Sequence, residues 1–90
     1  MPTIKFTSNL KRFFPELCPI QANCQTVKEA LEVIEEHYSG LKDYLVDDRG
    51  SLRKHVNIYI GNRLIKDRTT LMDSLEEQDE LYVMQAISGG

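Results

Sequence analysis

TVKEALEVIEEHY, residues 26–38, is the stretch on which the fold depends. Val27, Ala30, Leu31, Ile34 and Tyr38 recur at helical spacing, so their side chains share one face. Glu29, Glu32, Glu35 and Glu36 fall mostly off that stripe. Thr26 and Glu29 fit a capping box, in which each side chain satisfies a free amide at the other's position. Gly40 is read as the C′ residue, where a left-handed backbone ends the helix and glycine is favoured. One amphipathic helix must bury its stripe against another layer, and the rest of the chain offers only strands.

On the N-terminal side, Ile4 and Phe6 alternate with Lys5 and Thr7 over Thr3–Ser8, a strand pattern. Asn9 to Glu16 reads as a loop broken by Pro15. Cys18, Ile20 and Ala22 then alternate with Pro19, Gln21 and Asn23, a second strand confined to a sheet edge because proline cannot donate to a ladder. On the C-terminal side, Leu41 to Leu45 adds a short turn and Asp47 to Ser51 a loop. Val56, Ile58 and Ile60 alternate as a third strand, Gly61-Asn62 signals a turn, and Arg63 to Lys66 returns as a short fourth strand. Thr70 to Leu75 reads as one helical turn and Glu76 to Asp79 as a polar turn. Leu81, Val83 and Ile87 mark a last strand that stops at Ser88-Gly89-Gly90. The result is an α+β fold, a mixed sheet packed on one main helix.

Ninety residues make one domain, here 1–90 with a flexible tail at 88–90, and a core of modest size. A net charge of −3 argues against a nucleic-acid binder, which would carry a basic face. No segment approaches the roughly 20 apolar residues of a membrane span. The N-terminal stretch has no apolar run of signal-peptide type. Cys18 and Cys24, six residues apart in an extended segment, sit about 20 Å from each other, too far for a disulfide. Two free thiols suit a reducing compartment, so the expected location is the cytoplasm.

No catalytic set is visible. His37 and His55 are distant in sequence from each other and from any cysteine motif. His37 is expected as a solvated helix-end residue and His55 as a strand-surface residue. No phosphate loop or metal-ligand spacing occurs, so no bound cofactor or metal is expected. The end of the chain is different. A Gly-Gly terminus arises by chance in about one chain in 200, and here it directly follows a strand.

A β-β-α-β-β domain running into Gly-Gly resembles ubiquitin-like proteins of the β-grasp type. It most resembles the family of molybdopterin synthase small subunits and thiamine-pathway sulfur carriers. His55-Val56-Asn57-Ile58-Tyr59-Ile60-Gly61-Asn62 looks like that family's VNxxxN strand and turn. Leu71 to Leu75 followed by Gln78-Asp79-Glu80-Leu81 looks like its L..GDE stretch, with Gln78 in place of the usual glycine. Ala86-Ile87-Ser88-Gly89-Gly90 stands where the family ends in a VAGG-like tail. Tyr38-Ser39-Gly40 and Asp47-Asp48 are similar to the longer branch that serves a cysteine-synthesis pathway.

The resemblance implies a protein cosubstrate rather than an enzyme. An activating enzyme, an adenylyltransferase of the ubiquitin-activating type, joins the Gly90 carboxylate to AMP from ATP. A sulfur nucleophile then displaces AMP, and the resulting thiocarboxylate serves a sulfur-acceptor enzyme or the large subunit of a synthase. Gly89 and Ser88 would thread the narrow channel that leads to the active site, where a residue without Cβ passes most easily. The family docks through an apolar sheet face. Met84, Tyr82 and Tyr59 alternate opposite the core-facing residues and are the candidates for that face. Cys18 and Cys24 are expected to share the core face with Ile20 and Ala22. A monomer is expected in the free state. Three readings compete on the sequence: a sulfur carrier, a ubiquitin-like modifier joined to lysines through Gly90, and a plain interaction domain.

Overall fold

The computed structural model describes residues 1–85. Strands β1 (Thr3–Phe6), β2 (Ile20–Gln21), β3 (Val56–Ile60), β4 (Arg63–Leu64) and β5 (Glu80–Gln85) form one sheet in the order β2-β1-β5-β3-β4. Helices α1 (Ser8–Lys11), α2 (Val27–His37) and α3 (Leu41–Leu45) complete the described chain. β5 lies at the centre, parallel to β1 and antiparallel to β3. The remaining pairs are antiparallel. This is the mixed sheet that the strand alternation predicts.

The stripe of α2 is buried as expected: Val27, Ala30, Leu31 and Ile34 are at most 1% exposed and share one core with Ile4, Ile58, Leu81 and Val83. Each fully buried aliphatic side chain of this kind contributes about 1.5–3 kcal/mol. The start of the helix is fully satisfied. Glu29 N donates to Thr26 Oγ1 at 3.2 Å, and Gln25 N donates to Glu29 Oε1 at 2.8 Å. The capping box is thus reciprocal, with its return bond shifted one residue ahead of the cap. Val27 N and Lys28 N donate to the carbonyls of Asp73 and Leu71, and Ala30 N to Thr26 O.

That second set of partners explains the first correction. Thr70 to Leu75 forms no helical turn. The Asp67 carboxylate accepts from the amides of Thr69, Thr70 and Met72 and from the Thr70 hydroxyl. Leu71 adopts a left-handed backbone with φ 60°, and residues 71–75 run along the N-terminal end of α2, where an isolated bridge joins Thr26 and Ser74. The carbonyls that a local turn would have used cap the helix instead. Asp73 locks the same segment by accepting from the amides of Lys66 and Asp67.

Four further expectations change. The loop at 9–16 opens with the short α1. The second strand shrinks to Ile20–Gln21, because Cys18 N is held by the Tyr38 hydroxyl at 3.1 Å rather than by a ladder partner. The two cysteines therefore do not share a core face: Cys24 is buried and Cys18 is exposed, and both are free thiols. Gly40 takes the expected left-handed conformation at φ 96°, but as the residue that opens α3, since α2 ends at His37 with Tyr38 as its cap. The Glu35 carboxylate receives the amides of Gly40 and Lys42 at 2.9 and 3.0 Å and so makes the corner. The β3–β4 turn keeps glycine at its first central position, φ 64°, as tight hairpins of opposite twist require. Gln78 holds an ordinary negative φ; Leu71 is the one non-glycine residue with positive φ among the described residues.

Candidate functional site

One face of the sheet packs on α2 and the other is open. Alternation along β5 places Leu81 and Val83 in the core and leaves Tyr82 and Met84 half-buried on the open side. Tyr59 of β3 pairs with Tyr82, and Asn57 with Met84. The expectation that Tyr59, Tyr82 and Met84 share one face is met. The register extends the row: Lys5 pairs with Tyr82 on one side, and Leu64 with Tyr59 on the other. Leu64 is 49% exposed, so the row ends in an uncovered aliphatic side chain.

The row has a polar end and an apolar end. Lys5 Nζ lies 3.1 Å from Glu80 Oε2 and 5.6 Å from the centre of the Tyr82 ring. The Tyr82 hydroxyl donates to Glu80 Oε1 at 2.8 Å. Each group stabilises the charge state of the next. The hydrogen bond from Tyr82, then that from Lys5, lowers the pKa of Glu80; the bond to Glu80 raises those of Lys5 and of the Tyr82 phenol. Lys5 is therefore a fixed positive charge beside an aromatic face. Beyond it lie Tyr59, Leu64 and Met84. Arg68 braces the far side, donating to Asn57 Oδ1 at 3.0 Å and to the carbonyls of Arg53 and Val56 at 2.8 and 2.9 Å.

Gly90, Gly89 and Ser88 lie outside the described residues, as does Ile87. The root of the tail does not. Asn9 Nδ2 donates to the Gln85 carbonyl at 3.2 Å, and the Tyr44 hydroxyl to the Gln85 side-chain oxygen at 2.7 Å. Sequence reasoning missed these two residues and the rings around them. The signal was the Phe13-Phe14 doublet, two adjacent aromatics in a segment read as polar loop. His55 sits just before β3 with its ring edge-on to Tyr44, at 6.2 Å. His37 is exposed at the end of α2, as expected, with Nδ1 3.1 Å from the Val33 carbonyl. Among the described residues no three of His, Cys, Asp and Glu gather as metal ligands, and no helix is long and apolar enough to cross a membrane.

The profile of the ThiS family matches residues 4–90, from the first strand through Gly89-Gly90. The chain belongs to the ThiS family. A relative of this ThiS-family chain, the sulfur carrier protein CysO of Mycobacterium tuberculosis strain H37Rv, is 26% identical over 73 residues, covering 79% of this chain and 78% of the relative. Among solved structures, one chain of the BexX/CysO complex of Amycolatopsis orientalis superimposes with a TM-score of 0.83 at 22% identity, covering 100% of this chain and 100% of that one. SAMP1 of Haloferax volcanii, a small archaeal modifier protein, gives 0.77 at 21% identity, covering 99% of this chain and 98% of that one. At these identities the structural likenesses establish the fold, a ubiquitin-like β-grasp.

Proposed function

We propose that this ThiS-family chain is a sulfur carrier, a protein cosubstrate activated at Gly90. The observation that carries the reading is the family match itself, which runs without a break from the grasp domain through the Gly-Gly end. The Gly90 carboxylate attacks the α-phosphate of ATP in an activating adenylyltransferase, and pyrophosphate leaves. Hydrosulfide attacks the acyl carbon, AMP leaves, and a thiocarboxylate remains; where a persulfide attacks instead, AMP leaves and an acyl disulfide forms, and a thiol then cleaves its S–S bond to release the thiocarboxylate and a disulfide. An acceptor enzyme then draws the sulfur from it. The name of the mycobacterial relative favours an acceptor in cysteine synthesis, and the complex with BexX is consistent with an acceptor protein that binds a carrier of this fold. Molybdopterin synthesis is the other acceptor pathway the family suggests. The open face supplies the dock: Met84, Tyr82 and Tyr59, with Leu64 at the apolar end and Lys5 at the polar end.

The direct test is the mass of the intact protein after incubation with its activating enzyme, ATP and a sulfur donor. Exchange of one terminal oxygen for one sulfur is expected, and deletion of Gly90 should abolish it without lowering the melting temperature. A truncated protein that still acquires sulfur would overturn the assignment. The likeness to a small archaeal modifier protein favours a second reading, conjugation of Gly90 to lysine amines after the same activation. Isopeptide-linked adducts in the native host, with no thiocarboxylate form of the free protein, would establish that reading instead.

A further inference from the structure

Five residues, 86–90, separate Gln85 from the terminal carboxylate, and fully extended they span about 17 Å. An enzyme that encloses that carboxylate must rest its own surface against whatever surrounds Gln85. Parts of the chain distant in sequence converge there. Tyr44 of α3 and Asn9 of α1 both bond Gln85, and Tyr44 is itself packed by three rings. Phe13 lies 5.8 Å from it, Phe14 5.5 Å and His55 6.2 Å.

These rings have different surroundings. Phe14 is partly buried against the core. Phe13 is 59% exposed, more than any other phenylalanine or tyrosine among the described residues. The core does not need its ring. A hollow of about 250 Å³, lined by Asp43, Tyr44, Arg53 and His55, adjoins the same tyrosine. Cations flank the cluster in sequence: Lys11 and Arg12 precede Phe13, and Arg53 and Lys54 precede His55. An exposed ring packed on a half-buried one, beside a hollow and with cations next to it in the sequence, has the make-up of an interface anchor.

We propose that Phe13, Tyr44 and His55 form an aromatic collar around Gln85 that docks the enzyme reading the terminal carboxylate, against an apolar patch rimmed by carboxylates. The collar is separate from the open sheet face, and it rests on the reading of Gly90 as the activated group. Tyr44 and Asn9 act as positioning residues, since they hold the origin of the tail within the collar. The collar thus fixes where the tail starts, and the enzyme reads how far it reaches.

The test is pyrophosphate release by the cognate activating enzyme, measured against carrier concentration. A wild-type chain that releases none overturns the activation reading, and the collar with it. With the wild type active, Phe13→Asp should raise the carrier KM about tenfold with kcat nearly unchanged, as loss of an interface anchor does. Phe13→Ser serves as a second variant, and the melting temperature of each should match the wild type. Added salt should raise the wild-type KM. In Phe13→Asp/Met84→Asp the two KM effects should multiply, because separate surfaces contribute independently. A KM for Phe13→Asp or Phe13→Ser within about twofold of wild type would overturn the collar, since independent-site effects are resolved only beyond that margin. So would sedimentation showing a wild-type dimer that Phe13→Asp dissociates, for the ring would then be covered by a second copy.

Discussion

Replacing Cys24 by serine separates a packing role from a chemical one. Cys24 is 4% exposed and belongs to the core cluster with Ile20, Ala22 and Val27. Burial, with Glu29 adding to it, pushes its thiol pKa up, so the side chain is a neutral apolar filler rather than a ready thiolate. Serine is slightly smaller, and its hydroxyl would be buried at a position where the thiol makes no hydrogen bond among the described residues. That costs about 1–3 kcal/mol. In a domain of this size each kcal/mol lowers the melting temperature by about 4–8 °C, so the drop should begin near 4 °C and reach well beyond 10 °C at the upper end. Cys18 is exposed, and Cys18→Ser should stay within about 0.5 kcal/mol of wild type. Thermal melts of the two single variants measure the contrast. A thiol reagent gives an independent reading: Cys18 should react at once in the native protein and Cys24 only as the protein opens. Both variants should still be converted to the thiocarboxylate. Equal melting temperatures would show that the site around Cys24 accommodates a hydroxyl. A folded Cys24→Ser or Cys18→Ser chain that no longer takes up sulfur would show that a thiol serves as a relay.

Met84→Asp should leave the fold intact, because the side chain is half-buried on the open face, and should weaken binding to the activating or acceptor enzyme about tenfold, the burial of a methionine being worth roughly 1.5–3 kcal/mol. If the variant unfolds, Met84 belongs to the core; titration calorimetry beside a melt separates the outcomes. Asp67 has its pKa lowered from 3.8 to about 2, chiefly by the hydrogen bond from the Thr70 hydroxyl and then by the Thr70 amide. A depressed carboxylate stabilises the fold above its unfolded pKa and loses that contribution as pH falls through the folded one. Acid melts should therefore show a loss between about pH 4 and pH 2 that Asp67→Asn lacks; identical acid profiles would refute the assignment. Gly61→Ala forces a residue with Cβ to hold φ 64° and should cost about 1–2 kcal/mol in a denaturant titration, although the added methyl meets nothing within 4 Å.

The parts of the fold that were legible in sequence are those written in periodicity. The stripe of α2 and the alternation in β1, β3 and β5 each follow from which residues must face the core, and the Gly61-Asn62 pair marks the turn by its own chemistry. The same reasoning placed Tyr59, Tyr82 and Met84 together, because a period of two leaves no choice once Val83 and Ile58 are buried. Alternation misled at Cys18, where the pattern continues but the Tyr38 hydroxyl, 20 residues away, takes the amide. It was silent at residues 66–75, where the carboxylates of Asp67 and Asp73 organise the backbone and no hydrophobic rhythm records it. The root of the tail was illegible for the same reason. Gln85 is held by Asn9 and Tyr44, 76 and 41 residues away in sequence, and only the folded topology brings them together.

The central place of β5 has a consequence for how the chain comes to be folded. β1 and β3 do not touch each other; they meet only through the six residues Glu80–Gln85. Until those residues are present, the sheet has two separate halves with no seam, and the apolar side of each is uncovered. Ordering depends on contacts between the two ends of the chain, which close a long loop and form slowly. The same six residues carry Tyr82 and Met84 and lead into the Gly-Gly end. A chain cut short or nicked before β5 would therefore lose its fold, the proposed docking face and the proposed reactive terminus together. With Gly90 as the activated group proposed above, its carboxylate would be offered to an enzyme only on a finished domain.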